Sequence, residues 1–327
     1  MNIRERRAIH QAAAQTLNRA PQARQIILLY AAISCGLSLL STVVSVILSD
    51  RISGTGGLGN IGLRSVLSTG QSVLPLINFI ITACLSLGYH TAILSFTRGY
   101  DASTRTLTGS FRHFGPILRT LLLQGIFFGG TLVAAIYLSS FIFMATPYAD
   151  AFLQVMEPHL ASMTVLTESL VLDEALLNAA LEAMVPMLWI MAAVCLVMIL
   201  PLYYRFRMVN FALADDPQRG AFHAVLKSRH LMRRNCFALF RLDLDLWWFY
   251  AANLVISLVC YGDLLLPLVG VTFPWSDTVS YYLFYGLSLA LQMALYVFGM
   301  NRVYAVYAVA YDALQEDLPQ PELPVQQ

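Results

Sequence analysis

Cut at its charges, this chain falls into six apolar runs, each close to the ~20 residues a helix needs to cross the hydrocarbon core of a bilayer. They cover residues 26–49, 71–97, 120–145, 183–204, 246–269 and 278–301, the fifth passing through Asp263. Inside a bilayer every backbone N–H and C=O must find its partner within the protein, which for runs of this length means helices. The expected fold is therefore all-α, a polytopic membrane helical bundle with six transmembrane helices. Hydrophobic types make up 58% of the 327 residues and charged types 12%. A soluble domain carries about twice that charged share, so a soluble enzyme, a disordered chain and a disulfide scaffold are excluded. The first run is too long for a signal-peptide core and reads as a retained anchor.

An even number of spans puts both ends on one side, and Lys and Arg choose the side. Eighteen of the twenty basic residues fall before span 1, after spans 2 and 4, or at Arg302 closing span 6; only Arg51 and Arg64 lie on the other face. The segment between spans 3 and 4 carries Asp150, Glu157, Glu168, Asp173, Glu174 and Glu182 without a Lys or Arg. Both termini and the two large basic loops are expected in the cytoplasm.

Each odd-numbered span follows a stretch with helical pattern: residues 4–20, ended by Pro21, residues 103–113, and residues 219–234. These read as cytoplasmic interfacial helices. Residues 1–25 form an amphipathic N-terminal segment, 26–311 the six-span domain, and 312–327, with three prolines, a disordered tail. Three helix-hairpin units, 1–100, 101–212 and 213–311, are a candidate internal repeat. Between spans 3 and 4, Thr146-Pro147 starts a helix that Pro158 ends, and a second helix fits 168–184. Together they form an outer helical cap.

Gly54-x-Gly56-x-x-Gly59 follows a membrane span rather than a strand, so it reads as an outer hairpin and not a nucleotide loop. Gly125 and Gly129 in span 3 form a GxxxG packing face, within the chain or between copies. Asn78, Gln124, Asn253 and Gln292 are polar residues inside spans. Asp243 and Asp245 open span 5 and Arg302 closes span 6 on the same side, which predicts a structural ion pair between Arg302 and one of the aspartates. His223, Lys227, His230 and Arg234 recur at i, i+4, i+7, i+11, with Arg229 and Arg233 beside them and Phe222, Val225, Leu226 and Met232 opposite. That is the pattern of a basic amphipathic helix on a membrane surface, with anionic lipid headgroups as its partners. No metal, cofactor or catalytic set is expected: the five cysteines form no CxxC, and no HExxH, P-loop or Ser-His-Asp constellation stands in the sequence.

Residues 201–250 read PLYYRFRMVNFALADDPQRGAFHAVLKSRHLMRRNCFALFRLDLDLWWFY. This block resembles the bacterial integral membrane protein family catalogued as domain of unknown function 975. The resemblance rests on Pro201, Tyr204, Leu213-Ala214-Asp215-Asp216-Pro217, Ala224, Ser228, Leu231-Met232, Asn235, Phe240, Leu242 and Leu244. The opening RERRAIHQAAAQTLNRA and the closing YAVYAVAYDAL resemble that family's ends. The resemblance implies a multi-pass protein of the bacterial inner membrane and implies no activity. The expected role is non-enzymatic: a scaffold, or a lipid-surface or partner-docking protein in envelope maintenance, binding membrane lipids and a protein partner or a second copy, not nucleic acid. The alternative is a transporter or permease subunit for a small or amphiphilic solute.

Overall fold

A computed structural model describes residues 3–54, 61–150, 152–154, 174–268 and 277–316. Its elements in chain order are α1 (Ile3–Arg19), α2 (Gln22–Gly54), α3 (Ile61–Thr97), α4 (Thr104–Gly109, extended by a 3-10 turn to His113), α5 (Phe114–Met144), α6 (Glu174–Phe206), α7 (Val209–Asp215), α8 (Gly220–Met232), α9 (Cys236–Asp245), α10 (Trp247–Cys260), α11 (Gly262–Leu268), α12 (Asp277–Leu295) and α13 (Asn301–Glu316). A π-helical turn, Tyr296–Met300, joins α12 to α13. No strand occurs among the described residues. Five stretches are long and apolar enough to cross a membrane, and a sixth counts if a bent pair of helices is one span.

The bend of that pair lies where span 5 was expected to begin: α10 starts at Trp247, α9 meets it at 70°, and Leu246 between them is outside helical geometry at φ −102°, ψ 15°. The fourteen residues of α10 rise only about 21 Å, short of the ~30 Å core. A second break at Tyr261 separates α10 from α11. There Gly262 lies against Phe284, whose ring carbons stand 2.8 Å from where a Cβ would be.

The chain divides into two compact units, Met1–Thr120 with Met208–Gln327, and Leu121–Arg207. The second falls inside the middle hairpin unit expected at 101–212; the first joins the other two. Within the second unit, Phe127 and Phe128 pack on Phe206. Residues 147–150 and 152–154 are helical, and the Thr146 hydroxyl donates to the Phe143 carbonyl of the preceding helix at 2.6 Å. The expected separate helix over 168–184 is not separate: α6 runs unbroken from Glu174 through Pro186 and Pro201 to Phe206. Residues 155–173, and the glycine hairpin at 55–60, lie outside the described residues.

In the first unit α3 is the hub, in contact with α1, α2, α4, α7 and α13. Burial is uneven along it. From Cys84 to Phe96 most side chains are buried, whereas Val73, Leu76, Ile77 and Phe79 are exposed. The same division runs along α2: Ile26, Ile27, Tyr30 and Ala31 are buried, while Leu39, Leu40, Val43, Val46 and Ile47 are exposed. The packed core thus gathers one end of α2 and α3 with α1, α4, α7, α8, α9 and α13. At the other end the apolar side chains point outward, as a bilayer solvent permits. Gly99, at φ +79°, closes α3: the Tyr100 N–H bonds the Ser95 carbonyl at 2.8 Å, the Schellman arrangement. The helix α13 continues to Glu316, so residues 312–316, expected in the tail, are helical.

The tightest approach in this core is at Gly88. A Cβ there would meet the Leu107 carbonyl oxygen at 2.3 Å and its Cα at 2.8 Å, both backbone atoms of α4 that no rotamer change can move. Ser110 secures the same contact, its hydroxyl bonding the Cys84 carbonyl of α3 at 2.6 Å. Gly88→Ala is expected to destabilise the protein by about 1–3 kcal/mol through overpacking. Gly36→Ala, where no atom lies within 4 Å of the new Cβ, should be neutral or stabilising by up to about 1 kcal/mol from helix propensity. Thermal melting of the two purified variants beside the parent measures the difference.

Candidate functional site

The packed end of the first unit holds its charged chemistry. Asp215, the last residue of α7, turns its carboxylate inward and accepts from four side chains on three other elements: Arg98 at 2.6 Å, Lys227 at 2.8 Å, Gln315 at 3.1 Å and the Tyr311 hydroxyl at 3.2 Å. Arg98 also reaches Asp312 at 2.8 Å. Two cations and two anions therefore close a neutral cluster at the ends of α3, α7, α8 and α13. Asp312 and Asp215 together hold the Arg98 guanidinium firmly protonated against the cost of its burial. The neighbouring Asp216 works locally, its carboxylate accepting from the Arg219 backbone N–H at 3.4 Å to start the 3-10 turn.

Beneath this cluster lies an aromatic layer. Tyr89 stacks on Tyr30 at 5.4 Å and donates to the side-chain amide oxygen of Asn301 at 2.6 Å. The Asn301 amide in turn donates to the Ala23 carbonyl at 3.3 Å. The buried His90 sits between Phe211 and Tyr304, at 4.7 and 5.0 Å, with Nδ1 on the Ser86 carbonyl at 2.6 Å.

The expected Arg302 ion pair is corrected. Among the described residues neither aspartate pairs with Arg302, which is exposed. Arg6 of α1 takes Asp245 at 2.9 Å, with His10 at 3.7 Å. Asp243 is buried and accepts from Tyr307, whose hydroxyl also lies 2.5 Å from that of Tyr250. The reason is the packing of α1 along α13, which delivers a cation from the far end of the sequence.

The basic face of α8 is also redistributed. Val225 and Met232 do not share a face with Phe222 and Leu226: they are buried with Ala221, Ala224, Ser228 and Leu231. Lys227 leaves the solvent arc for Asp215, and His223 is half-buried with an unpartnered Nδ1. Exposed are Phe222, Leu226, Arg229, His230, Arg233 and Arg234. On α9 the exposed face carries Phe237, Arg241 and Leu244, the Arg241 guanidinium lying 4.5 Å from the Phe237 ring centre, and Trp247 follows at 66% exposure. Among the described residues a Cβ at Gly125 or Gly129 meets no atom within 4 Å. The polar span residues of the first unit do not converge. Asn253 donates to the Phe249 carbonyl of its own helix at 2.9 Å, Gln292 bonds Tyr296, and Asn78 lines a groove of its own with Ser38, Ser41, Thr42, Thr82 and Tyr285. Gln124 belongs to the second unit.

Sequence reasoning missed Arg98, Asp215, Tyr311 and Asp312 as partners. The signal was present in two places, the LADDP turn and the closing YAVYAVAYDAL, which the fold brings together. A family model described as protein of unknown function (DUF975) matches residues 1–292. No curated protein and no solved structure matches the chain.

Two measurements follow. Asp215→Asn leaves two cations short of an anion and should destabilise by about 2–4 kcal/mol. Asp216→Asn, which removes an exposed i,i+3 pair with Arg219, should stay within about 1 kcal/mol. Burial among Arg6, Arg302 and Asp245 lowers the His10 pKa below 6.5, burial outweighing the Asp245 carboxylate. The unfolded chain then binds the proton more readily, so this contribution is full above pH 6.5 and declines as pH falls through it. Melting at pH 7.5 and 5.5 should show a smaller acid-induced drop for His10→Gln than for the parent.

Proposed function

The chain belongs to the family of proteins of unknown function DUF975, and from that premise we propose that it is a non-enzymatic scaffold of the bacterial inner membrane. Its packed end rests on the cytoplasmic leaflet and offers a docking platform for envelope maintenance. The observation that carries this reading is the exposed face of α8 and α9. Phe222, Leu226, Phe237, Leu244 and Trp247 expose large apolar surfaces among Arg229, Arg233, Arg234 and Arg241. In water such a face costs free energy. At a headgroup boundary the rings and aliphatic carbons enter the acyl region while the guanidinium groups meet phosphates.

The charge distribution supports the same orientation. The cytoplasmic leaflet is negative, and each nearby basic residue is worth about 1 kcal/mol there. Four exposed arginines therefore contribute several kcal/mol, enough to hold two short helices against the surface. The 70° bend at Leu246 supports this geometry, because it turns α9 away from the direction of α10. An interfacial helix followed by a membrane-entering one needs such a turn. The alternative reading, a transporter or permease subunit, draws support from the polar groove around Asn78.

The test uses the full chain in nanodiscs, with an environment-sensitive fluorophore on a single cysteine at position 226 or 237. Anionic lipid should shift its emission to the blue and expose it to quenchers carried on shallow acyl positions. Neutral lipid or high salt should weaken both effects, and replacing Arg229, Arg233 and Arg241 by Gln should abolish the lipid dependence. A cysteine at 230 labelled by an impermeant reagent from outside intact cells would overturn the orientation.

A further inference from the structure

The apolar ends of α2 and α3 carry one feature at odds with a purely structural role in lipid. On α2, Ser34, Ser38, Ser41, Ser45 and Ser49 recur at i, i+4, i+7, i+11, i+15; on α3, Gln71, Pro75, Asn78, Thr82 and Ser86 recur with the same spacing. Spacings of three and four keep side chains on one face of a helix, and α2 packs against α3. Gln71 bonds Ser49 across this seam at 2.8 Å. Beside it, Tyr285 of α12 completes an open groove of about 340 Å³, lined by Ser38, Ser41, Thr42, Asn78, Phe79 and Tyr285. That volume is in the range of small-ligand sites.

The groove's hydrogen-bonding capacity is only partly used. The Thr42 and Tyr285 hydroxyls stand 2.7 Å apart and reach the Ser38 carbonyl at 3.0 and 3.2 Å. The Asn78 amide oxygen accepts from Thr82 at 3.4 Å. Among the described residues the Asn78 amide N–H groups and the Ser41 hydroxyl have no partner. Pro75 has no N–H to offer the Gln71 carbonyl, which leaves a further acceptor. Ser41 lies ten residues from Arg51 and seventeen from Arg24 along α2, about 15 and 26 Å of helical rise. Those distances sum to the ~40–45 Å of a whole bilayer and place the groove within its hydrocarbon. Unpaired polar groups at that depth are costly, so a polar occupant is favoured. No charged side chain lines the groove, which disfavours an ion. The exposed Phe79 and the ring of Tyr285 offer apolar faces beside the hydroxyls.

We propose that this groove binds an uncharged, hydroxyl-rich group of the sugar or glycerol type, which approaches from the membrane side between α2 and α3. The group uses its hydroxyls as both donors and acceptors against Ser41, Asn78 and Tyr285, and its C–H face lies on Phe79. Such a group comes either from the head of a neutral amphiphile or from a free polyol. The full chain in phosphatidylcholine nanodiscs is melted with three probes: a monogalactosyl diacylglycerol, the same lipid with its sugar hydroxyls acetylated, and free galactose. The galactolipid should raise the melting temperature and the acetylated lipid should not. A rise with free galactose as well assigns a solute source; no rise with it assigns the lipid. Asn78→Leu removes the amide, and Ser41→Leu fills the groove while sparing the Thr42–Tyr285 contact. Each should weaken the galactolipid response at least about tenfold in concentration, the worth of one or two lost hydrogen bonds. Melting without ligand reports whether each variant folds, and if one does not, the other decides. An equal rise with the acetylated lipid, no rise with galactolipid or galactose, or a rise retained in the folded variants overturns the assignment.

Discussion

The carboxylate of Asp215 is the constraint on which the packed end depends. It belongs to a turn between two helices, yet it draws Arg98, Lys227, Tyr311 and Gln315 from three other elements to within hydrogen-bond reach. A carboxylate removed from water is costly unless its lone pairs are filled, and here donors fill them. Arg98 carries the constraint onward to Asp312. With that corner fixed, α3 and α13 run side by side, and the Tyr89–Asn301–Ala23 chain ties α2 to the same pair. The aromatic layer then fills the space between them. The order of causes runs from charge satisfaction at the end of the helices to shape complementarity along them.

How much of this was legible in the sequence depends on the range of the signal. Spans 1 to 4 and 6 are written locally, in runs of apolar residues, and the structure places helices over them. The fifth begins as expected, at Trp247, but is interrupted at Tyr261, which hydropathy does not record. Asp243 and Asp245 just before it are engaged by Tyr307 and by Arg6, partners that no local pattern announces. The same limit applies to α8. Its charges were visible at helical spacing, but Lys227 faces inward because Asp215 is there to receive it, and Asp215 is placed by contacts a hundred residues away. The Arg302 pairing failed for a related reason: proximity of two spans was argued, while a third helix, α1, held the better-placed cation. The polar stripes of α2 and α3 were present in the sequence all along, each residue unremarkable alone, and the groove emerges only when the two stripes face each other.

The two polar surfaces of the first unit differ in kind. Around Asp215 every charge is answered within the protein, so the region acts as a joint. Around Asn78 donors and acceptors are left open, which is what the proposed occupant would use. The exposed arginines and rings of α8 and α9 form a third class, where charge and apolar surface alternate along one face. The family match covers residues 1–292, which include the LADDP turn, Arg98 and both walls of the groove on α2 and α3.

The tie between Arg6 and Asp245 spans 239 residues of chain. A ribosome working at about 5–20 residues per second makes the first partner roughly 10–50 seconds before the second. During that interval α1 has been synthesised, yet neither α13, along which it packs, nor the carboxylate that holds it exists. The contacts that hold the helix therefore cannot form until most of the chain has been made. A chain truncated before residue 245 lacks both the carboxylate that pairs with Arg6 and the helix along which α1 packs.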